Sequence, residues 1–318
     1  MTYSIFIDGA AGTTGLQVAD RLALHPGVTA RSLDDEQRKD NAARQQMMAA
    51  SDLTILCLPD AAAREAADMA ALTNARLIDA SSAHRTHADW VYGFPELIAG
   101  QRDAIAAASR ISNPGCYPTG FLALTRPLID AGILPRDALL SVPAVSGFSG
   151  GGNSMIARQA DGALPAYGSY GVTLAHKHIP EMVAYAGLST APIFMPAVAE
   201  FYAGMLVNVP LHGAQLAKSV TGQDLHDCLA AHFDGPGLVR MAAARANDDT
   251  LLADNLLAAD GLANSDHMEL SVFANQDNSQ FWLLARLDNL GKGASGAAVQ
   301  NMNIALGLDE MMGLSTGV

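Results

Sequence analysis

Hydrophobic and polar positions change rhythm along this chain, and the change divides it. Near the start, Ser4-Ile5-Phe6-Ile7-Asp8 is a short, β-prone apolar run. Leu16, Val18, Ala19, Leu22 and Ala23 then recur at helical spacing as far as His25-Pro26-Gly27, which predicts a helix and its stop. A second strand is predicted over Val28 to Leu33, and a third over Leu53 to Leu58, ending at Pro59-Asp60. The Ala-rich run from Asp60 to Leu72 reads as a helix, because Ala is the best intrinsic helix former. Arg76 to Ala80 predicts a fourth strand. Strands alternating with helices at this spacing imply βαβ units and a parallel sheet, and strands this continuously apolar are those covered on both faces.

After Asn113-Pro114-Gly115 the character changes. Gly- and Pro-rich loops multiply, and longer alternating strands follow at Gly204 to Val209, Met268 to Phe273 and Phe281 to Leu287. The last two predict a pair joined across Asn275-Gln276-Asp277-Asn278, and a final helix is expected from about Ser295 to Leu306. The expected class is α/β: a Rossmann-like domain over 1–114, an α+β domain with a mixed or antiparallel sheet over 115–290, and a C-terminal helical segment over 291–318 packing back on the first.

Composition narrows the function. The chain has 318 residues, half of them hydrophobic and only 16% charged, so a substantial core is available and global disorder is excluded. Nineteen Lys and Arg against 32 Asp and Glu give a formal net charge of −13, which argues against nucleic acid or an anionic membrane as partner. Cys57, Cys116 and Cys228 are too few and too scattered for a disulfide framework or a zinc site, so no metal is expected. Met1 to Asp8 lacks a signal-peptide pattern and no apolar stretch approaches a membrane span, so a cytoplasmic protein is expected.

Three segments carry candidate chemistry. Gly9-Ala10-Ala11-Gly12-Thr13-Thr14-Gly15 sits between the first strand and first helix, where small residues let backbone approach a pyrophosphate at a helix N-terminus. Gly9, Ala11, Gly12, Thr13, Thr14 and Gly15 are the expected cofactor contacts. Asp34-Asp35-Glu36 lie slightly beyond the second strand while Arg31, Arg38 and Lys39 could meet a 2′-phosphate, so spacing favours NADP slightly over NAD. In Asn113-Pro114-Gly115-Cys116-Tyr117-Pro118, Pro118 suits the first turn of a helix, which puts Cys116 where the dipole favours thiolate and nucleophilic chemistry. Cys57, in mid-strand, and Cys228, on a helix face, read as buried small hydrophobes. His176-Lys177-His178-Ile179-Pro180-Glu181 offers either His176 or His178 as the acid/base, on one side if the stretch is extended. Ser146-Gly147-Phe148-Ser149-Gly150-Gly151-Gly152 reads as a nest of backbone N–H groups for an anionic oxygen.

Together with Tyr92-Gly93-Phe94-Pro95-Glu96-Leu97 and Asp288-Asn289-Leu290-Gly291-Lys292-Gly293-Ala294-Ser295-Gly296, these segments resemble N-acetyl-γ-glutamyl-phosphate reductase of the short-form subfamily, over nearly the whole chain. The resemblance implies an NADPH-dependent reductase of arginine biosynthesis with the aspartate-semialdehyde-dehydrogenase architecture, a homo-oligomer (dimer or tetramer), and Cys116 as nucleophile. It adds Ser81, Asn289, Lys292, Gly293 and Ala294 as expected cofactor contacts, and Arg85, Ser146, Gly147, Ser149 and Gly150 as expected substrate contacts. Short-form members tend to carry a Lys directly after the Gly triplet; Asn153-Ser154 stand there here, so Arg110, Lys177 or backbone N–H groups would bind more of the anion. A sister reductase acting on aspartyl phosphate or a carrier-bound aminoadipyl phosphate would keep Cys116 and change the pocket. A cysteine hydrolase would leave the glycine turn without a purpose, and a non-catalytic NADP sensor would bind without turnover.

Overall fold

The computed structural model describes residues 2–242 and 256–315, which fall into two compact units. The first takes the chain up to Gly115 and again from Ala294 to Ser315; the second runs from Cys116 to Gly293.

In the first unit the order is β1 (Tyr3–Asp8), α1 (Thr13–Ala23), β2 (Val28–Arg31), α2 (Asn41–Ala49), β3 (Leu53–Leu56), α3 (Asp60–Ala71), β4 (Leu77–Asp79), β5 (Val91–Tyr92), α4 (Gln101–Ala107) and β6 (Arg110–Ser112). The strands form one sheet in the order β2-β1-β3-β4-β6-β5, and every pairing is parallel. Alternation along β1 sends Ile5 and Ile7 into one core with Val18 and Leu22 of α1, and Phe6 into another with Met48 of α2 and Ala66 and Ala70 of α3. A sheet buried on both faces needs apolar residues at successive positions, which is why these strands read as unbroken runs. Cys57 lies one residue past β3, where its N–H bonds to the Asp8 carbonyl, rather than in mid-strand.

The second unit contains α5 (Cys116–Asp130), β7 (Ser141–Gly147), α6 (Gly152–Ala160), β8 (Tyr167–Ser169), α7 (Ile179–Ala186), β9 (Ile193–Ala199), β10 (Met205–His212), α8 (Gly222–His232), β11 (Val239–Met241), β12 (Met268–Ala274) and β13 (Gln280–Leu287). Its seven-stranded sheet, in the order β11-β12-β13-β10-β7-β9-β8, is mixed: β12, β13, β10 and β7 run antiparallel in turn, while β7 and β9 are parallel. β12 and β13 form the expected hairpin, with Met268 opposite Leu287 and Ala274 opposite Phe281. α5 and α8 cover one face, onto which Val207, Val209, Leu283 and Ala285 point. The opposite face leaves Ile193, Met195 and Trp282 exposed.

The last helix, α9 (Gly296–Leu306), belongs to the first unit, where Val299 and Met302 join the core containing Ile5 and Ile7. Asn301 of this buried helix donates to the Gly93 carbonyl at 2.8 Å and to Asn113 Oδ1 at 3.1 Å.

Candidate active site

Cys116 is the first residue of α5, with Pro118 two positions on, in the first turn that its fixed φ suits. The backbone of Gly293 runs beside it: a Cβ there would stand 2.9 Å from Cys116 Cβ, so glycine is what lets that chain approach the thiol. The other two cysteines are poor nucleophiles. Burial, with Asp79 and Asp8 nearby, pushes the Cys57 thiol up to about 12, and burial also raises that of Cys228.

Around the next residue, Tyr117, the second unit assembles an aromatic cluster from four separate segments. The Tyr117 hydroxyl donates to the Ala197 carbonyl at 2.9 Å and accepts from Tyr170 at 3.2 Å. His178 lies with its ring 6.0 Å from that of Tyr117, His176 lies 4.7 Å from His178, and Tyr170 lies 5.8 Å from His176. Phe194 of β9 fills the middle, 5.1 Å from Tyr117 and 5.2 Å from His176. Burial is the first cause raising both tyrosine hydroxyls above their usual range, and the neighbouring Cys116 charge adds to it, so both stay neutral donors. The histidines meet through a turn, not through strand alternation: Ile179 N bonds to the His176 carbonyl, and His178 is the N-cap of α7. Burial first, and Lys177 second, lower the His176 pKa. Tyr117, Tyr170 and Phe194 carry no sequence pattern that would assign them to this cluster; chain separations of 53 residues and more are closed only by folding.

The Ser146–Gly152 segment differs from the open nest expected of it. It leaves β7 and turns through a short 3₁₀ helix (Phe148–Gly151), and its first N–H groups are already taken. Gly147, Phe148 and Ser149 donate to the carbonyls of Gly204, Phe201 and Tyr202. Side chains lock the same contact: Asn289 accepts from Gly204 N at 2.9 Å and donates to Ser149 Oγ at 2.9 Å. The glycines serve close packing, since a Cβ at Gly147 would meet the Tyr202 backbone and one at Gly150 would stand 2.9 Å from Ser146 Oγ. Lys292 is only 1% exposed, so its side chain is held inside the protein.

In the first unit, the glycine turn opens α1 at Gly12 with no side-chain cap. A Cβ at Gly9 would lie 2.5 Å from the Cys57 carbonyl oxygen, and one at Gly15 would run into the Gly9 carbonyl. Beside the turn is a cavity of about 690 Å³, lined by Gly9, Ala10 and Ala11 together with Asp35, Arg38, Lys39 and Arg44. Its inner end holds a buried ion pair that sequence reading missed, Arg44 to Asp8 at 2.7 Å across 36 residues. Burial raises the Asp8 pKa and Arg44 pulls it back. Ser81 donates to Asp79 at 2.8 Å, and Asp79 also holds His84 at 2.6 Å, in a buried group whose imidazole stacks on Trp90. Arg85 donates to the carbonyls of Asn113 and Ala80, and the carbonyl of Ala294 accepts from Asn113 Nδ2 at 2.9 Å. The structure therefore puts Cys116, His176, His178, Ser146, Ser149, Asn289, Lys292 and Gly293 in one unit, and the glycine turn, Ser81, Arg85 and Ala294 in the other. Among the described residues no cluster of metal-ligating side chains occurs and no helix is long and apolar enough to cross a membrane.

Residues 4–108 match the family model described as semialdehyde dehydrogenase, NAD binding domain, and residues 116–289 match the semialdehyde dehydrogenase dimerisation domain. Crystal structures with the same fold include aspartate semialdehyde dehydrogenase II of Vibrio cholerae complexed with ASA, at 17% identity and TM-score 0.69, covering 96% of this chain and 98% of that one. Another is the aspartate semialdehyde dehydrogenase of Candida albicans with NADP, at 11% identity and TM-score 0.65, covering 96% and 98%. Much nearer in sequence are proteins named N-acetyl-gamma-glutamyl-phosphate reductase. That of Trichormus variabilis is 47% identical over 98% of both chains, and that of Burkholderia ambifaria 48% identical over 96% of both. Identity at that level over essentially the full length decides the matter: this chain belongs to the N-acetyl-γ-glutamyl-phosphate reductase family.

Proposed function

We propose that the protein reduces N-acetylglutamyl 5-phosphate to N-acetylglutamate 5-semialdehyde with NADPH, through a thioester on Cys116. The observation that carries this reading is Cys116 at the head of α5, followed by Tyr117, whose ring neighbours that of His178 in the pair His176–His178, in a chain of this family.

The glycine turn fits a dinucleotide. Its glycines are required by backbone contacts at Gly9 and Gly15, its helix N-terminus has no side-chain cap, and the adjoining cavity carries Arg38 and Lys39 for a phosphate. Those two cations favour NADP over NAD. The chemistry that a bound nicotinamide supplies is hydride.

Cys116 acts first. The helix N-terminus favours its thiolate, which attacks the γ-acyl carbon and displaces phosphate, leaving a thioester. A histidine passes a proton to the departing phosphate oxygen. Once the thioester carbon has accepted hydride, its oxygen is negative and must be met by donors. Collapse of this thiohemiacetal breaks the C–S bond, releases the aldehyde and returns the thiolate. Dividing displacement and reduction into two steps is what the covalent route achieves.

A second copy of the chain is proposed to cover the open face of the mixed sheet. Support comes from the dimerisation-domain match and from Ile193, Met195 and Trp282 exposed there, an apolar surface of the kind that marks an interface.

Substituting Cys116→Ser tests the route. The variant is expected to keep NADPH binding by fluorescence while phosphate-dependent NADP reduction with the semialdehyde falls at least about 10³-fold. Full turnover by that variant would eliminate the thioester.

A further inference from the structure

We propose that Arg44 prepares the cofactor cavity by cancelling the charge of Asp8, so that an anionic dinucleotide can lie against the glycine turn. Arg44 is thereby a positioning residue that acts through Asp8. The inference rests on the cofactor reading of this turn and adds a residue to which that reading gives no part.

Asp8 is the last residue of β1 and directly precedes Gly9. It is buried, and it lines the same cavity as Gly9, Ala10 and Ala11. A carboxylate there borders the space that the pyrophosphate of a dinucleotide takes at such a turn. With little water to screen it, its charge opposes any phosphate nearby.

Arg44 meets Asp8 from α2 with two nitrogens. Nη2 donates to Oδ2 at 2.7 Å and Nε to the same oxygen at 3.1 Å, while Nη1 donates to Asn41 Oδ1 at 3.3 Å. The guanidinium is thus fixed from both sides, in a pair whose side chains are 7% and 4% exposed. Stability alone does not account for such a pair, because apolar side chains of similar volume often pack as well or better. Its place at the inner end of the cavity points to the ligand instead.

The cavity wall carries three carboxylates, Asp8, Asp35 and Glu65, and three cations, Arg38, Lys39 and Arg44. Arg38 already lies 3.1 Å from Asp35. Arg44 is the cation that acts on Asp8, where it opposes the rise that burial causes. Asp8 and Asp79 both lie near Cys57, whose thiol stays neutral, and Asp79 at the end of β4 is held by Ser81 and His84. Without Arg44 the wall turns net negative, in a chain of net charge −13 that gives a polyanion no long-range attraction. Asp8 is then a buried acid whose ionised form is disfavoured by burial and by bound phosphates alike. NADPH binds best while that acid is protonated, and affinity falls as rising pH ionises it.

Fluorescence titration of NADPH from mildly acidic to mildly alkaline pH tests this. Relative to the unaltered protein, Arg44→Leu is expected to bind at least about tenfold more weakly at alkaline pH, less so at acidic pH, and to take up a proton on binding. Combining Arg44→Leu with Asp8→Asn removes the carboxylate charge as well. That double variant is expected to return to within about threefold of the unaltered protein, with no added pH dependence. It decides the question even if Arg44→Leu alone does not fold. A double variant that stays more than about tenfold weaker refutes the proposal, because Arg44 then serves the cofactor directly. A pH-independent defect in Arg44→Leu refutes it too. Carboxyl ¹³C NMR of the cofactor-free protein, with Asp8→Asn to assign the signal, reads the same coupling without NADPH. Asp8 is expected to titrate at higher pH in Arg44→Leu than in the unaltered protein, and equal titration overturns the proposal. Failure of the cofactor reading shows itself differently: the unaltered protein then binds no NADPH, while the Asp8 titration still shifts.

Discussion

Two glycine-rich segments follow a strand and lead into a helix in this protein, and they do opposite things with their backbone. At Gly9–Gly15 the chain opens α1 without a side-chain cap and borders a cavity with basic residues on its wall. At Gly147–Gly152 the N–H groups turn inward to the Phe201–Gly204 carbonyls, and Asn289 and Ser149 close the contact. A glycine run therefore reports only that backbone comes close to something. Whether that neighbour can be a ligand or is another loop of the chain depends on which carbonyls the fold brings alongside.

Substitutions at the two sites should separate the two uses. Gly15→Ala should have the larger effect: its Cβ would meet the Gly9 carbonyl, displace the start of α1 and weaken NADPH at least about 100-fold by fluorescence titration, about 2.8 kcal/mol. Unaltered affinity would mean that the turn is not the cofactor site. Gly147→Ala should act on the fold instead. Its φ of −58° suits any residue, so the cost is the clash with the Tyr202 backbone, about 1–3 kcal/mol of overpacking. Chemical denaturation should report that loss with the KM for semialdehyde and phosphate unchanged; a substrate-binding defect at constant stability would restore the open-nest view. The smallest effect belongs to the cavity wall. Arg38→Ala combined with Lys39→Ala should weaken NADPH about tenfold, about 1.4 kcal/mol, and leave NADH alone, because both cations are exposed and screened. Equal losses for the two cofactors would move the 2′-phosphate elsewhere.

Much of the fold was legible where periodicity is strong. β1, β3 and β4 follow from apolar runs, and the β12–β13 hairpin from alternation on either side of a polar turn. α2 was not anticipated, because Asn41–Ala49 has no large aliphatic residue at helical spacing and buries only Arg44 and Met48; its start is fixed by Asp40, whose carboxylate accepts from Ala42 N and Ala43 N. β9 was also missed. Pro196 argues against an interior strand, yet β9 is paired on both sides: β8 pairs only with Ala197 to Ala199, so its ladder stops before the residue that cannot donate.

The candidate site divides in the same way. Cys116 at a helix start was readable because the Pro118 two residues later is a local signal, and local signals survive in sequence. The turn at Gly9–Gly15 was readable for the same reason. What surrounds them was not: Tyr170 on Tyr117, Arg44 on Asp8, and Asn289 on Ser149 are contacts across 53, 36 and 140 residues. Sequence by itself determined the βαβ order and the helix start at Cys116, because each rests on neighbouring residues. Tertiary structure alone decided which donors face the site and which are taken by the fold, because a hydrogen bond is assigned by the partner that packing delivers.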